Sequence, residues 1–422
     1  MIVAIAAWGS RGEIEPCIAV GGELQRRGHE VRMAVPPDLT SCAEQAGLTA
    51  VPYGGELHAI LNPYRDFWTN VFRRPWKIRE LAETWSAVAE PITQGRKLIN
   101  ATLTTMSEGA DVLFTGMNYE DAAANVAEYE NIPLVVLHWF PFRANGQLVP
   151  FLPAPLCRLA MRLFWWLSWR GTKKVEDAQR QELGLPKTTT PWHRRVADRG
   201  SLEIQAYDEV CFPGLKAEWA EWNGRRPFVG PLTLESPTDA DDEVASWISQ
   251  GKPPVFFGFG SIPVDSPADT VAMISSVCAE LGQRALICAG CSDLREVPQS
   301  DHVKVVAGTN LAASFPRCRA VVHHGGAGTT AVGMRAGIPT LILSTDLNQA
   351  LWGATVKRLR VGTTRRFSAT TQKSLVNDLR TILAPDYTNR ANEMAARMTK
   401  SGESIALAAD LVEDVIRSKP VD

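Results

Sequence analysis

A run of histidines, glycines and threonines in the last third of the chain has the residue types of an anion-binding turn. It reads His323-His324-Gly325-Gly326-Ala327-Gly328-Thr329-Thr330. Glycine lets a backbone turn tightly and approach a ligand closely. A helix that begins there would offer unpaired N–H groups and a partial positive charge. These features are typical of a phosphate site, with the histidines and both threonine hydroxyls as further donors, although the glycines alone would also suit a turn that only packs a helix on a sheet.

The residues around this turn predict the elements that must position it. The apolar run at 319–322 favours a strand, and the run at 331–336 favours a helix that Gly337 ends. A further strand is expected at 340–343. The glycine turn therefore belongs to a β-α-β unit, between the end of one strand and the start of a helix.

A second glycine-containing loop follows the first strand of the chain. Residues 2–7 predict a buried parallel strand, residues 8–15 a polar loop, and Pro16 the first turn of a helix. The loop carries Ser10 and Glu13, and the Glu13 carboxylate could cap the helix, since negative charge is favoured at a helix start.

The alternation of strands and helices repeats along the chain and predicts two doubly wound α/β domains, because 422 residues exceed a single core. We expect an N-terminal domain at 1–213, a proline-rich linker at 214–243 and a C-terminal domain at 244–400. A last helix at 401–422 is expected to pack back on the first domain. Two such domains would face each other with their glycine loops on a common cleft.

Two stretches interrupt the alternation, at 53–94 and 140–200, and they hold most of the 13 tryptophans. Within the second, residues 155–170 combine Leu-Phe-Trp-Trp-Leu-Ser-Trp with Arg158 and Arg162 at helical spacing. Such a basic, aromatic helix could lie on a membrane surface, or it could pack over the cleft and line an apolar acceptor pocket. No run of 18 apolar residues occurs, so no membrane span is expected.

Composition argues against several classes of protein. The chain has 44 basic and 46 acidic residues, which gives no basic field for nucleic acid. The eight cysteines are scattered, which favours reduced thiols and a cytoplasmic location. Cys288 and Cys291 have the spacing of a redox pair, but they are better explained as the end of a buried strand, and no second pair completes a zinc site.

Other motifs are absent or weak. The chain has neither the glycine fingerprint of dinucleotide-binding enzymes nor the Gly-Lys-Ser/Thr of a Walker A loop. The acid run at 239–242 has the Asp-x-Asp spacing of some metal-dependent transferases. Its proline-rich surroundings favour a solvated acid cluster instead.

The two glycine turns resemble those of a known family. Residues 9–16, Gly-Ser-Arg-Gly-Glu-Ile-Glu-Pro, are similar to the Gly-Ser-Arg-Gly-Asp-x-x-Pro opening of bacterial antibiotic, sterol and mycobacterial glycolipid glycosyltransferases. Residues 322–330, 335–339 and 348–349 resemble the donor-site signature of the same family. The resemblance spans both domains. It implies the GT-B fold of glycosyltransferase family 1, a nucleotide-sugar donor and an inverting transfer without cofactor or metal.

The resemblance also implies a role for each matching residue. Glu13 would be the catalytic base, where the family usually has aspartate. The donor pyrophosphate would be bound by Ser10, Ser261, His323, His324, Gly325, Gly326, Ala327, Gly328 and Thr329. The nucleobase would lie beside Val306, Ala307 and Thr309. The donor sugar would be held by Asp346, Asn348 and Gln349, where Asn348 stands in place of the usual aspartate.

We therefore expect transfer of a hexose from a UDP- or dTDP-sugar to a hydroxyl of a hydrophobic acceptor, such as a glycolipid, lipopeptide, polyketide or sterol. The alternatives are a nucleotide-sugar epimerase or a phosphorylase of the same fold, and a non-catalytic sugar-nucleotide-binding protein. An epimerase would leave the tryptophan-rich stretches unexplained, and a phosphorylase would need a cofactor lysine that the donor motif lacks. The replacements at Glu13 and Asn348 are the only support for a non-catalytic protein. A peripheral membrane contact is the alternative expectation for residues 155–170.

Overall fold

The fold is taken from a computed structural model, which describes residues 1–57, 77–149, 152–222, 224–234, 237–258, 260, 266–290 and 301–418. Within these ranges the chain forms two six-stranded sheets. Every strand pairing in both sheets is parallel. Their strands are short apolar runs, as expected for parallel strands that helices cover on both faces.

The first sheet has the strand order β3-β2-β1-β4-β5-β6. Its strands are β1 (Ile2–Ala6), β2 (Glu30–Val35), β3 (Ala50–Pro52), β4 (Val112–Gly116), β5 (Leu134–His138) and β6 (Leu202–Gln205). The helices that accompany it are α1 (Arg11–Arg26), α2 (Thr40–Gln45), α3 (Ile78–Ser107), α4 (Glu120–Tyr129), α5 (Ala154–Glu182), α6 (Trp192–Asp198) and the one-turn α7 (Leu215–Glu218).

The second sheet has the order β12-β11-β10-β7-β8-β9. Its strands are β7 (Val255–Gly258), β8 (Ala285–Cys288), β9 (Val303–Val306), β10 (Ala320–His323), β11 (Thr340–Ser344) and β12 (Gly362–Arg366). Its helices are α8 (Asp241–Ser249), α9 (Pro267–Glu280), α10 (Leu311–Ser314), α11 (Ala327–Arg335), α12 (Leu347–Arg358), α13 (Gln372–Ile382), α14 (Pro385–Ala395) and α15 (Ser401–Arg417). Counted from its own first strand, each sheet has the same doubly wound order, 3-2-1-4-5-6.

The start of α1 differs from the prediction. The helix begins at Arg11, so the expected loop at 8–15 and the helix start at Pro16 are wrong. Ser10 is the N-cap, and Glu13, at the third helical position, accepts the Ser10 N–H. The hydrogen bond between Ser10 and Glu13 stabilises a helix start at Arg11, because the Ser10 N–H would otherwise have no acceptor. Pro16 is instead an internal residue of the helix.

The tryptophan-rich stretches contain long helices, where the sequence pattern showed only a break. Helix α3 extends from Ile78 to Ser107, and α5 runs through 29 residues from Ala154 to Glu182. In the part of the chain that the structure describes, no helix combines the length and apolar character needed to cross a membrane.

The last helix, α15, packs against α1 of the first domain. Arg27 beside the end of α1 bonds Asp410 at 2.6 Å, and the ring Nε2 of His29 lies 2.9 Å from Glu413. Buried alanine and valine side chains of α15 join the core of the first domain. From the second domain, Arg335 donates to the carbonyls of Pro231 and Thr399 at 2.6 and 2.8 Å. Helix α15 thus attaches to the first domain, and Arg335 ties the linker to the second domain.

Candidate functional site

The turn between β1 and α1 holds the Glu13 carboxylate in a fixed position. Its Oε2 accepts the Ser10 N–H at 2.6 Å, and its Oε1 accepts Nδ2 of Asn118 at 3.1 Å. Gly9 makes this possible, since it has φ +140° and a Cβ there would lie 2.4 Å from Oε2 of Glu13. The carboxylate therefore occupies space that any other residue at position 9 would fill.

The surroundings of Glu13 favour its protonated form. Burial raises the pKa of Glu13, and hydrogen bonds from Ser10 and Asn118 only partly oppose this. The negative charge of Asp346, on the second domain, adds to the rise in pKa. Glu13 is therefore a stronger base than an exposed carboxylate, and the cleft brings an acidic residue of each domain close together.

Asn118 is a residue that sequence reasoning missed. It follows the end of β4, and its Nδ2 also donates to the Trp8 carbonyl at 2.9 Å. Because β4 pairs with β1, the loops after both strands lie at the same edge of the sheet. A search for polar residues just after each predicted strand would have found Asn118 as a candidate partner of Glu13.

The turn between β10 and α11 leaves its helix N-terminus open. Gly325 has φ +100°, and a Cβ there would lie 2.7 Å from Cγ2 of Ile342. Gly326 is the N-cap, and the first turn of α11 contains no acidic residue. The helix begins at Ala327, and its first hydrogen bond runs from the Thr330 N–H to the Gly326 carbonyl, so the N–H groups of 327–329 have no acceptor within the helix. The expected helix start at 331 is therefore wrong, because the predicted glycine turn itself forms the first helical turn.

The two histidines of this turn have different environments. His323 is fully buried, and its Nδ1 accepts the Gly325 N–H at 3.0 Å. Burial lowers the pKa of His323 well below its ordinary value, so the ring is neutral and holds the turn. His324 is half-buried, and burial lowers its pKa to about 4. His324 is thus the partly accessible histidine, and it is neutral near pH 7.

The loop after β7 contacts this turn. Gly260 has φ +60°, and a Cβ there would lie 2.7 Å from Cε1 of His324. The backbone of the β7 loop therefore packs directly against the imidazole ring. Ser261, the predicted distal-phosphate contact, lies outside the described residues.

The two threonines of the motif are not equivalent. Thr330 is fully buried, and its hydroxyl donates to the Gly326 carbonyl at 2.8 Å. The expectation that both threonine hydroxyls serve an anion is therefore wrong for Thr330, since successive helical residues point about 100° apart. Thr329 is partly exposed, at the third position of α11.

Of the predicted nucleobase contacts, only Ala307 is exposed. Val306 belongs to a buried hydrophobic cluster. The Thr309 hydroxyl is 3.1 Å from Oδ1 of Asp241 and 2.9 Å from the Ser314 hydroxyl. Val306 and Thr309 are therefore occupied by packing and hydrogen bonds within the fold, and of these three residues only Ala307 lies at the surface. Asp241 also shows that the acid run is not simply solvated, because it links α8 to this loop.

The predicted sugar-binding residues lie at the start of α12. Oδ1 of Asp346 accepts the Gln349 N–H at 3.0 Å and caps the helix. Oε1 of Gln349 accepts the Thr345 N–H at 2.7 Å, and the side chain is buried. Asp346 and Asn348 are exposed. Gln349 thus shapes the loop, while the other two residues present side chains to solvent at the cleft.

A narrow cavity between the domains joins the two helix starts. Gly12 and Pro16 of α1 line it from one side, and Ala327 and Gly328 of α11 line it from the other. The folded chain therefore brings the helix that carries Glu13 to the open N-terminus of α11. Among the described residues, no three or more histidine, cysteine, aspartate or glutamate side chains form a cluster suited to a metal ion.

Two family models match the chain. Residues 3–109 match the glycosyltransferase family 28 N-terminal domain. Residues 270–413 match the C-terminal domain of the erythromycin biosynthesis protein CIII-like family. The matched regions include the turn that carries Glu13 and the turn at the start of α11.

Curated relatives cover the whole chain. An uncharacterised glycosyltransferase of Mycobacterium tuberculosis is 56% identical over 99% of both chains. A sterol 3-beta-glucosyltransferase of Arabidopsis thaliana is 27% identical, over 97% of this chain and 67% of its own length.

Solved structures share the two-domain fold. The calicheamicin glycosyltransferase CalG4 aligns with a TM-score of 0.71 over 100% of this chain and 99% of its own, at 17% identity. The glycosyltransferase VinC, solved in complex with dTDP, aligns with a TM-score of 0.58 over 99% of both chains, at 19% identity.

Proposed function

This chain belongs to the family 1-like glycosyltransferases with the GT-B fold, and we propose that it moves a hexose from a UDP- or dTDP-sugar to a hydroxyl of a hydrophobic acceptor. The observation that carries the proposal is that the helix that holds Glu13 and the open N-terminus of α11 begin at the same cavity between the domains. Gly12 of α1 and Gly328 of α11 line the same cavity. A base and an anion site are the two groups that such a transfer requires.

In the proposed reaction Glu13 accepts the proton of the acceptor hydroxyl. The acceptor oxygen then forms a bond to the anomeric carbon, and the bond from that carbon to the diphosphate oxygen breaks. Attack on the face opposite the leaving group inverts the anomeric centre. The hydrogen bonds from Ser10 and Asn118 support this role, because they hold the carboxylate in one position.

The leaving diphosphate is proposed to bind at the N-terminus of α11. Its negative charge would meet the unpaired N–H groups of Ala327, Gly328 and Thr329, and the half-buried ring of His324. These donors are already in position before the ligand binds. They can therefore stabilise the negative charge that develops on the diphosphate as the bond to the sugar breaks. The proposal therefore requires neither a metal ion nor a cofactor, and the nucleotide sugar is a co-substrate.

The donor and acceptor classes are supported by similarity. VinC, a relative in fold, was solved with dTDP, and a sequence relative is named a sterol 3-beta-glucosyltransferase.

The experiment is an assay of acceptor-dependent release of nucleotide diphosphate. UDP-glucose and dTDP-glucose are supplied separately, each with sterol, glycolipid, lipopeptide and polyketide acceptors, in the presence of EDTA. We expect release with one nucleotide and with at least one apolar acceptor. The anomeric configuration of the isolated product, measured from its proton coupling constants, is expected to be inverted relative to the donor.

Three outcomes would contradict parts of the proposal. A product of retained configuration would exclude direct displacement. Activity that EDTA abolishes and added metal restores would show that the helix N-terminus alone does not serve the leaving group. Tight binding of a nucleotide sugar without turnover on any acceptor would favour the non-catalytic alternative.

A further inference from the structure

Helix α5 (Ala154–Glu182) is firmly attached to the first domain by its inner face. Trp165 and Trp169 are buried in the core of that domain. The indole N–H of Trp165 donates to the Phe142 carbonyl at 3.0 Å, and that of Trp169 donates to Glu176 at 2.8 Å. The orientation of the helix is therefore fixed, and so is the set of side chains that it turns outward.

The outward side of this helix is apolar over its first half. We call these side chains the outer face of α5; they are Leu156, Leu159, Leu163, Phe164, Trp166 and Leu167. Each is between 48% and 63% exposed. The four leucines are spaced by three or four residues, so they form one stripe along the helix. Contiguous apolar patches of this kind commonly mark a site of interaction with a partner or a membrane.

Basic residues continue the stripe toward the C-terminal end of α5. Arg170 and Lys174 follow Leu163 and Leu167 at helical spacing. Residues 154–175 contain five basic and no acidic residues, in a chain whose net charge is −2. Two of the five, Arg158 and Lys173, pair with acidic side chains. Within the described ranges the other three, which include Arg162, form no ion pair.

We propose that the outer face of α5 docks the protein on a bilayer that contains anionic lipids. Leucine and aromatic side chains on one side of a helix enter the boundary between headgroups and acyl chains, and nearby lysine and arginine side chains bind the anionic headgroups. Trp166 at the margin of the stripe suits the interface, because its ring combines apolar surface with one N–H donor. The exposed apolar stripe and its cations, which form no ion pair with any described residue, together match an anionic bilayer surface.

The location of the outer face relates membrane docking to the cleft. Helix α5 follows the loop that leaves the cleft end of β5, and Arg158 pairs with Glu218 of α7, where the domains meet. Docking would thus place the cleft near the bilayer surface, where a lipid acceptor resides. This relation rests on the proposed function, whereas the docking does not.

The test is co-sedimentation of the full chain with phosphatidylcholine vesicles, with and without phosphatidylglycerol. We expect binding to the anionic vesicles that weakens with salt. The double variant Leu159→Glu, Leu163→Glu should bind at least about 100-fold more weakly, since two leucines would leave the bilayer and two like charges would face it. The double variant Arg170→Gln, Lys174→Gln should lose on the order of 20-fold, about fivefold for each cation.

The matched control is Leu407→Glu, which adds the same charge at a leucine of α15 that is 40% exposed. It should bind vesicles like the wild type. Circular dichroism and thermal unfolding check that all variants fold. Equal binding of the Leu159→Glu, Leu163→Glu variant, equal binding to neutral and anionic vesicles, or equal loss in the control would overturn the proposal.

Sedimentation velocity without lipid separates docking on a bilayer from docking on a second chain. A dimer that the Leu159→Glu, Leu163→Glu variant abolishes, together with no vesicle binding, would overturn the proposal in favour of a protein interface. Vesicle binding without any transfer of sugar would support the docking and count only against the proposed function.

Discussion

Helices α1 and α11 each begin directly after a glycine turn at the end of a parallel strand, and both helix starts line the same cavity. They differ at the third helical position, which is Glu13 in α1 and Thr329 in α11. In α1 the carboxylate accepts an N–H of its own helix start. In α11 the first turn has no acid, so its N–H groups stay available for the anion of a ligand.

In the proposed function, this difference gives one structural unit two chemical roles. A helix N-terminus attracts negative charge in either domain. Where the chain supplies that charge itself, we propose that the helix start positions a base. Where the chain supplies a neutral hydroxyl and glycines, we propose that the helix start binds the ligand. In this proposal, the side chain at the third position decides which role each turn has.

The largest expected effect comes from removing the charge of Glu13. Glu13→Gln should lower kcat by about 10²–10⁴-fold, since the amide can accept the Ser10 N–H but cannot accept a proton. Its affinity for nucleotide diphosphate, measured by calorimetry, should stay near that of the wild type. The matched control is Glu15→Gln, because Glu15 accepts the Leu234 N–H at 2.9 Å and an amide can replace it there. Comparable loss in both variants would mean that Glu13 only supports the helix.

The difference between the two helix starts can be tested by giving α11 the acidic residue that α1 carries. Thr329→Glu should weaken nucleotide diphosphate binding on the order of 100-fold, because a second negative charge would occupy the helix start and repel the ligand. Thr329→Gln has nearly the same size without the charge, and it should bind much more tightly than Thr329→Glu. Calorimetric titrations of both variants measure the difference. Equal affinities would show that the diphosphate binds elsewhere.

A smaller effect is expected for His324. The neutral ring can donate one hydrogen bond to a phosphate oxygen, so His324→Ala should weaken diphosphate binding by about tenfold. His324→Gln retains a donor and should recover most of the affinity. The readout is the dissociation constant of the nucleotide diphosphate at constant pH. A loss in His324→Gln as large as in His324→Ala would argue that the ring acts through packing against Gly260 rather than through its N–H.

The smallest effect concerns stability and its dependence on pH. Burial raises the pKa of Glu13 above its ordinary value of 4.5, so the folded protein holds this proton more tightly than the unfolded chain. The wild type therefore loses stability as the pH rises through the raised pKa, and Glu13→Gln does not. We expect Glu13→Gln to have a Tm a few degrees higher at pH 8, with the difference shrinking toward pH 5.

The same raised pKa sets the pH dependence of activity. Because the base must be deprotonated, kcat/KM should increase as the pH rises through the pKa of Glu13, and the residual activity of Glu13→Gln should lack this limb. A Tm of Glu13→Gln below that of the wild type at pH 8 would show that the ionised carboxylate stabilises the turn.

The sequence by itself determined the family, the fold class and the turn at residues 323–330. The expected fold is confirmed: the alternation of strands and helices predicted two doubly wound α/β domains, and the resemblance of the two glycine turns implied the GT-B fold. Gly337 ends α11 with φ +69°, as its position after the helical run predicted. These features depend on residues that are close together along the chain, and the sequence shows such residues directly.

Only the tertiary structure decided which side chains face the cleft. His323 and His324 are adjacent in sequence, yet one is buried and the other is partly open. Asn118 and Glu13 are 105 residues apart and meet because β1 and β4 are paired. The sequence did not show which side of α5 is exposed, because that depends on the burial of Trp165 and Trp169 in the core of the first domain. Burial and long-range pairing depend on how the elements pack, and a local pattern does not contain that information.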